Sequence, residues 1–218
     1  MFLKWIKWPV AMASLLFFPA LVYQSVNVLK LLYHRFPQNS WFVGGLLGYL
    51  LFWMAVLRKR AWGIWFSTFE HELTHILFAL LTFHKIGDLR VTRNGGSVQI
   101  DGQNWLILMA PYFFPTLSVS LMGVFFWIRR EYVPWLSAVF GVSLGYHILS
   151  NWREVHPGQS DLQKSGWLFA WLFLPSSWLF SYCALAVFAV GGPDLLLEYL
   201  RGVYGKTLSM LQTLNVSG

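Results

Sequence analysis

The mostly apolar run from Ala61 to Phe83 carries His71-Glu72-Leu73-Thr74-His75 in its interior, and that placement narrows what the chain can become. A helix across this run sinks Glu70, His71, Glu72 and His75 to the depth of their apolar neighbours. Even the mildest insertion scale charges roughly 2.5 to 3.5 kcal/mol for each charged group at the centre of a bilayer. Such a helix therefore needs an ion, a partner side chain or a wet cavity beside it. The spacing names the ion. On a helix the two histidines, four residues apart, face the same side and can hold one zinc ion. Glu72 lies one step round, placed to take a proton from a water activated by the metal.

Composition sets the broad class. Of 218 residues, 56% are hydrophobic and only 11% charged, against about 25% charged in an average soluble domain. An all-α integral membrane bundle is expected. Tryptophans near the ends of apolar runs, such as Trp5, Trp8, Trp41, Trp62, Trp105 and Trp167, match the aromatic belts of lipid headgroup regions. A net charge of +7 raises the question of nucleic acid. The basic residues are scattered through short connections, however, with no compact module to carry a groove reader, so no nucleic-acid partner is expected. A single cysteine, Cys183, excludes an intrachain disulfide and a cysteine-rich metal site.

A helical crossing takes about 20 residues, and six stretches approach or exceed that length: Pro9 to Leu32, Trp41 to Leu57, Ala61 to Phe83, Trp105 to Ile128, Val133 to Leu149 and Trp167 to Val190. About six transmembrane helices in one membrane domain, 1–218, follow. Lys4 and Lys7 before an apolar segment resemble a signal peptide, but no small-x-small cleavage site follows, so the first span is read as retained. Gly44 and Gly48 stand at the small-xxx-small spacing that lets helix backbones approach closely. Gly191-Gly192-Pro193 breaks the chain after the sixth stretch, and 194–214 then reads as an interfacial amphipathic helix with Asp194, Glu198, Arg201 and Lys206 turned to water.

The one sizeable polar segment is 84–104. Leu89 to Thr92 and Ser97 to Ile100 alternate and are β-prone, and Arg93-Asn94-Gly95-Gly96 between them holds an Asn-Gly turn signal. A small β-hairpin after the motif helix is expected. Its edge could accept an extended peptide strand beside the metal. An ordinary connecting hairpin is the alternative.

A zinc ion that does chemistry usually has three protein ligands and one open position. The candidates for the third are Asp161, His147 and His156, with Glu154 a weaker one. Asp161 stands at a helix start, where a lone carboxylate can point into a bundle, although such a residue also caps helices. His147 lies within an apolar span, where a histidine is more often a hydrogen-bonded packing residue. Glu70, Thr74, Asn104 and Asn151 are candidates for lining a polar route to the site, or for ordinary bonding between helices.

These features together make the chain resemble the site-2 protease family of intramembrane zinc metalloproteases, particularly its small, minimal-core branch. The carrying residues are His71-Glu72-Leu73-Thr74-His75 in an apolar run, Gly95-Gly96-Ser97-Val98 in the hairpin, Ala110-Pro111 in the following span and Asp161 opening a later one, across a core of about 62–180. The resemblance implies His71, His75 and Asp161 as zinc ligands, Glu72 as catalytic glutamate and Gly95, Gly96, Ser97 and Val98 as substrate-binding residues. It also implies transmembrane protein substrates. Where that family often has Leu-Asp-Gly, this chain reads Ser160-Asp161-Leu162. The localisation expected is multi-pass in a cell membrane, the bacterial inner membrane or an equivalent. Lys and Arg number nine on the side of the termini against seven opposite, slightly favouring cytoplasmic termini. The resemblance instead turns the hairpin to the cytosol. Two other readings share the motif: a prenyl-protein processing type of membrane protease, which favours a glutamate as third ligand, and a non-catalytic membrane scaffold or metal-handling protein. Oligomeric state is not encoded in any of these features.

Overall fold

The computed structural model describes residues 2–59, 61–92 and 95–216. Among these residues, eight α-helices and one hairpin follow in the order α1 (Phe2–His34), α2 (Phe36–Ala55), α3 (Ala61–Leu81), β1 (Ile86–Thr92), β2 (Gly95–Ile100), α4 (Trp105–Phe113), α5 (Thr116–Phe125), α6 (Val133–Glu154), α7 (Ser160–Ser165) and α8 (Trp167–Val216). The expected helical bundle with a small antiparallel hairpin is present. Arg93 and Asn94, which carry half of the turn signal, lie outside the described residues.

Three stretches, Trp5–His34, Arg130–Glu154 and Trp167–Thr213, are long and apolar enough to cross a membrane. The pair Trp105–Phe113 and Thr116–Phe125 adds a fourth if the two count as one broken span. The expectation of six crossings is thus supported for four stretches at most. Helix α3 fails the apolar measure among the described residues, and it is the helix that holds Glu70, His71, Glu72 and His75. The fourth expected span is bent by 70°. Phe114 precedes Pro115 and is extended (φ −94°, ψ 112°), because a following proline disfavours the helical region.

The main core joins Leu21 and Val28 of α1, Phe42 of α2, Leu136, Phe140 and Leu144 of α6 and a stretch of α8 that includes Phe188. Outward-facing Leu29, Leu51, Trp135, Leu168 and Trp171 are exposed, an apolar exterior of the kind a bilayer solvates. Helices α2 and α6 approach through glycines, but not the expected ones. A Cβ on Gly141 would lie 2.1 Å from the Phe42 carbonyl oxygen, and one on Gly45 2.1 Å from that of Ala138, whereas Gly44 and Gly48 have nothing within 4 Å. The small-xxx-small pair faces away from the contact.

The segment after Gly191 resumes as a helix beyond a break. Gly192 (φ 66°, ψ −158°) breaks α8, a left-handed φ that glycine tolerates. The chain beyond it buries Tyr199, Val203 and Thr207, with Gly202 against the Gln24 side chain of α1. Lys206 Nζ lies 4.4 Å from the Tyr23 ring centroid, also on α1. Its outer side carries exposed Leu197, Tyr204 and Leu208 alongside Asp194, Glu198 and Arg201. The segment packs Tyr199, Val203 and Thr207 inward and leaves Asp194, Glu198 and Arg201 exposed, with Lys206 half-buried against α1.

Candidate metal centre

Helix α3 places His71 and His75 one turn apart on one face, both buried. Helix α4 crosses beside it, packing Ile107 and Ala110 against Phe78 and Ala79. On the other side of α4 a second cluster, including Trp105, Met109, Tyr112, Leu162 and Phe169, fastens α7 and the start of α8. Leu162 is fully buried in that cluster. Its neighbour Asp161 is thereby carried to the histidines.

His71, His75 and Asp161 form a group that could hold a metal ion. Nε2 of His75 lies 3.1 Å from Nε2 of His71 and 3.2 Å from Oδ2 of Asp161, and Nε2 of His71 lies 3.6 Å from that same oxygen. Tetrahedral zinc with bonds of about 2.0 to 2.1 Å separates its ligand atoms by about 3.3 Å. The three edges bracket that value.

Proton positions reinforce the fit. Nδ1 of His75 stands 2.8 Å from the Ile107 carbonyl oxygen, which only accepts, so Nδ1 carries the proton and a neutral ring presents a lone pair at Nε2. Nδ1 of His71 stands 2.8 Å from Oε2 of Glu154 and donates to that carboxylate by the same reasoning. Two nitrogen lone pairs and a carboxylate oxygen then face one another. Only a cation or an extra proton can occupy the space between them. Burial raises the affinity of the Asp161 carboxyl for its proton, but with a proton in place of the ion the hydrogen bonds that His71 and His75 would then donate through Nε2 hold it well below the usual carboxylate range. Asp161 is thus available as an anion.

The group opens into a cleft of about 330 Å³. Glu72 lines it beside the histidines, and Gly95, Gly96, Ser97 and Val98 of β2 form part of its wall. Gly96 lies against Glu72 so closely that a Cβ there would be 2.7 Å from Glu72 Cγ. Gln103, Gln159 and Lys164 also line the cleft.

The other candidates for the third ligand do not join the group. His147 is buried, with Nε2 3.3 Å from the Asn151 amide nitrogen and its ring beside Tyr182. His156 is exposed, and its Nδ1 accepts from the Gly158 N–H. Glu154 is at the centre but behind His71, on the ring nitrogen that points away from Asp161. Its position speaks against the glutamate-ligand arrangement of the prenyl-protein processing type.

The four residues considered for a polar route do not line the cleft. Thr74 is fully buried and pairs with Thr116 of α5, while Asn104 caps α4 by accepting from the Ile107 N–H. Asn151 donates to the Tyr182 hydroxyl. Glu70 is buried on the same side of α3 as Thr74 and outside the cleft. Bonding between and within helices accounts for Thr74, Asn104 and Asn151. Sequence reasoning did not single out Ser67 or Ser150, whose hydroxyls donate to Glu154, nor Tyr112, whose hydroxyl donates to Asp161 Oδ2 at 3.5 Å. The serines stand four residues before His71 and Glu154, a regularity visible in the chain but not specific enough to select them. No protein family, curated protein or solved structure matches the chain.

Proposed function

We propose that this protein is a zinc-dependent endopeptidase of the site-2 protease kind, acting on membrane-embedded protein substrates from within a cell membrane. The observation that carries the reading is the convergence of His71, His75 and Asp161 at tetrahedral spacing on the floor of a cleft that also holds Glu72. A zinc ion bound there would act as a Lewis acid toward a peptide carbonyl and make water a better nucleophile at neutral pH.

The chain's own residues supply the rest. Glu72 accepts a proton from the attacking water and returns it to the leaving amine. Gly95 to Val98 offer backbone N–H and C=O groups along the cleft wall, where an extended peptide segment can be held as an added strand. Glycine at 96 lets backbone approach the carboxylate of Glu72.

The test is purification of the full chain in detergent with metal analysis, alongside cleavage of a peptide bearing a transmembrane segment. His71→Ala and Asp161→Ala should each lose about one zinc per chain. Glu72→Gln should keep the metal and lose cleavage by about 10²- to 10⁴-fold. Zinc binding without cleavage in the native chain would instead point to the metal-handling or scaffold reading.

A further inference from the structure

The proposed chemistry leaves one carboxylate at the centre without a task. Glu154, the last residue of α6, uses both of its oxygens. Oε1 accepts from Ser67 of α3 at 2.6 Å and from Ser150 of α6 at 2.8 Å, and Oε2 lies 2.8 Å from His71 Nδ1. The two serine hydroxyls are themselves 2.9 Å apart. Ser67 and His71 share one face of α3, as Ser150 and Glu154 share one face of α6, so the four side chains close a box between the two helices.

We propose that Glu154 is a positioning residue of the metal centre: it accepts the Nδ1–H of His71 and so fixes the ring nitrogen, and the direction, that the imidazole offers to a divalent cation. The two ring nitrogens of an imidazole point apart, so a group on Nδ1 acts on the metal only through the ring. A carboxylate there fixes the tautomer and raises the basicity of the opposite nitrogen. The two ligand rings are backed unequally, His71 by an anion and His75 by the neutral Ile107 carbonyl.

A bridge between helices explains this arrangement less well. The Ser67 and Ser150 hydroxyls can pair with each other without a carboxylate, and burying a carboxylate is unfavourable unless charge or strong donors compensate it. The strongest donor beside Glu154 is the His71 ring. Its position is therefore best explained by what it does to that ring.

This inference rests on the metal-binding part of the proposed function and not on peptide cleavage. The experiment is zinc titration of the full chain in detergent against a chromophoric chelator, comparing native protein with Glu154→Gln and with Ser118→Ala, a remote member of the Ser118–Ser143 hydroxyl pair. Glu154→Gln keeps the shape but not the charge. Its zinc affinity should fall about 10- to 100-fold while Ser118→Ala stays native. The cobalt-loaded Glu154→Gln protein should show a shifted visible absorption band, which a purely structural bridge would not produce. Zinc affinity within threefold of native, with only the metal-free melting temperature lowered, overturns the proposal. So does complete loss of zinc equal to that of His71→Ala, which would make Glu154 a ligand. Failure to cleave any peptide would sink the enzyme reading and leave these affinity results to stand alone.

Discussion

Gly96 offers a sharp test of how the hairpin and Glu72 work together. A methyl at its Cβ position would sit 2.7 Å from Glu72 Cγ, 2.9 Å from Glu72 Oε1 and 2.8 Å from Thr68 Cγ2. Carbon atoms in contact rest at about 3.5 to 4.0 Å, so Gly96→Ala demands a displacement of about 1 Å. The Thr68 methyl is one bond from a stiff, β-branched Cβ, whereas the Glu72 carboxylate ends a longer chain and gives way first. Overpacking of this kind costs about 1 to 3 kcal/mol, which leaves the fold intact. A 1 Å misplacement of a reacting group can cost about 100-fold in rate. The three atoms nearest the added methyl belong to Glu72 and Thr68, none to the ligand group. Gly96→Ala should therefore keep about one zinc per chain and cleave about 100-fold more slowly. Gly44→Ala, with open space around it, should cleave at the native rate. Metal analysis and cleavage of a reconstituted transmembrane peptide make the comparison. Native turnover by Gly96→Ala would refute the argument, as would loss of the metal along with activity.

Other expectations concern the frame around the site. Gly141→Ala sets a methyl 2.1 Å from the Phe42 carbonyl oxygen and should destabilise the bundle by about 1 to 3 kcal/mol. Gly44→Ala and Gly48→Ala should be neutral or slightly stabilising, since alanine is the better helix former; thermal unfolding in detergent distinguishes the two groups. Lys7 donates to the Ser165 carbonyl at the end of α7 and stands 4.8 Å from the Phe169 ring centroid. Lys7→Met should loosen α7 and weaken zinc binding by several fold through Asp161, read by the same chelator titration, and an unchanged affinity would exclude that linkage.

What could be read from the chain follows the range of the interaction. The pairing of His71 with His75 depends only on helical periodicity, and the hairpin only on local alternation and turn chemistry. Asp161 is one of several candidates in the sequence because its arrival depends on Leu162 docking between α4 and α8, a contact with no local signature. Glu154 and Asp161 are both carboxylates near the same turn, and only the path of 155–159 decides which meets Nε2 and which Nδ1 of His71. Gly44 and Gly45 are adjacent, and a pattern of small residues does not say which side of a helix meets its neighbour; the observed contact uses Gly45. The bend at Pro115 and the break at Gly192 sit on legible residues. Their effect on the number of crossings depends on how the pieces pack.

The distribution of polar groups also decides how water can reach Glu72. Thr74, Asn104 and Asn151 are engaged in hydrogen bonds within and between helices, and a passage through the bundle would have to break them. The cleft instead is lined by β2 together with Gln103, Gln159 and Lys164. On the proposed function, solvent and substrate would share the cleft that the hairpin borders. A peptide held along β2 would displace water from the same space that supplies the nucleophile, so the hairpin must leave room for at least one solvent molecule beside Glu72. Gly95 and Gly96 leave such room, since neither projects a side chain into the cleft. A larger residue at Gly96 would both crowd the Glu72 carboxylate and narrow the supply of water.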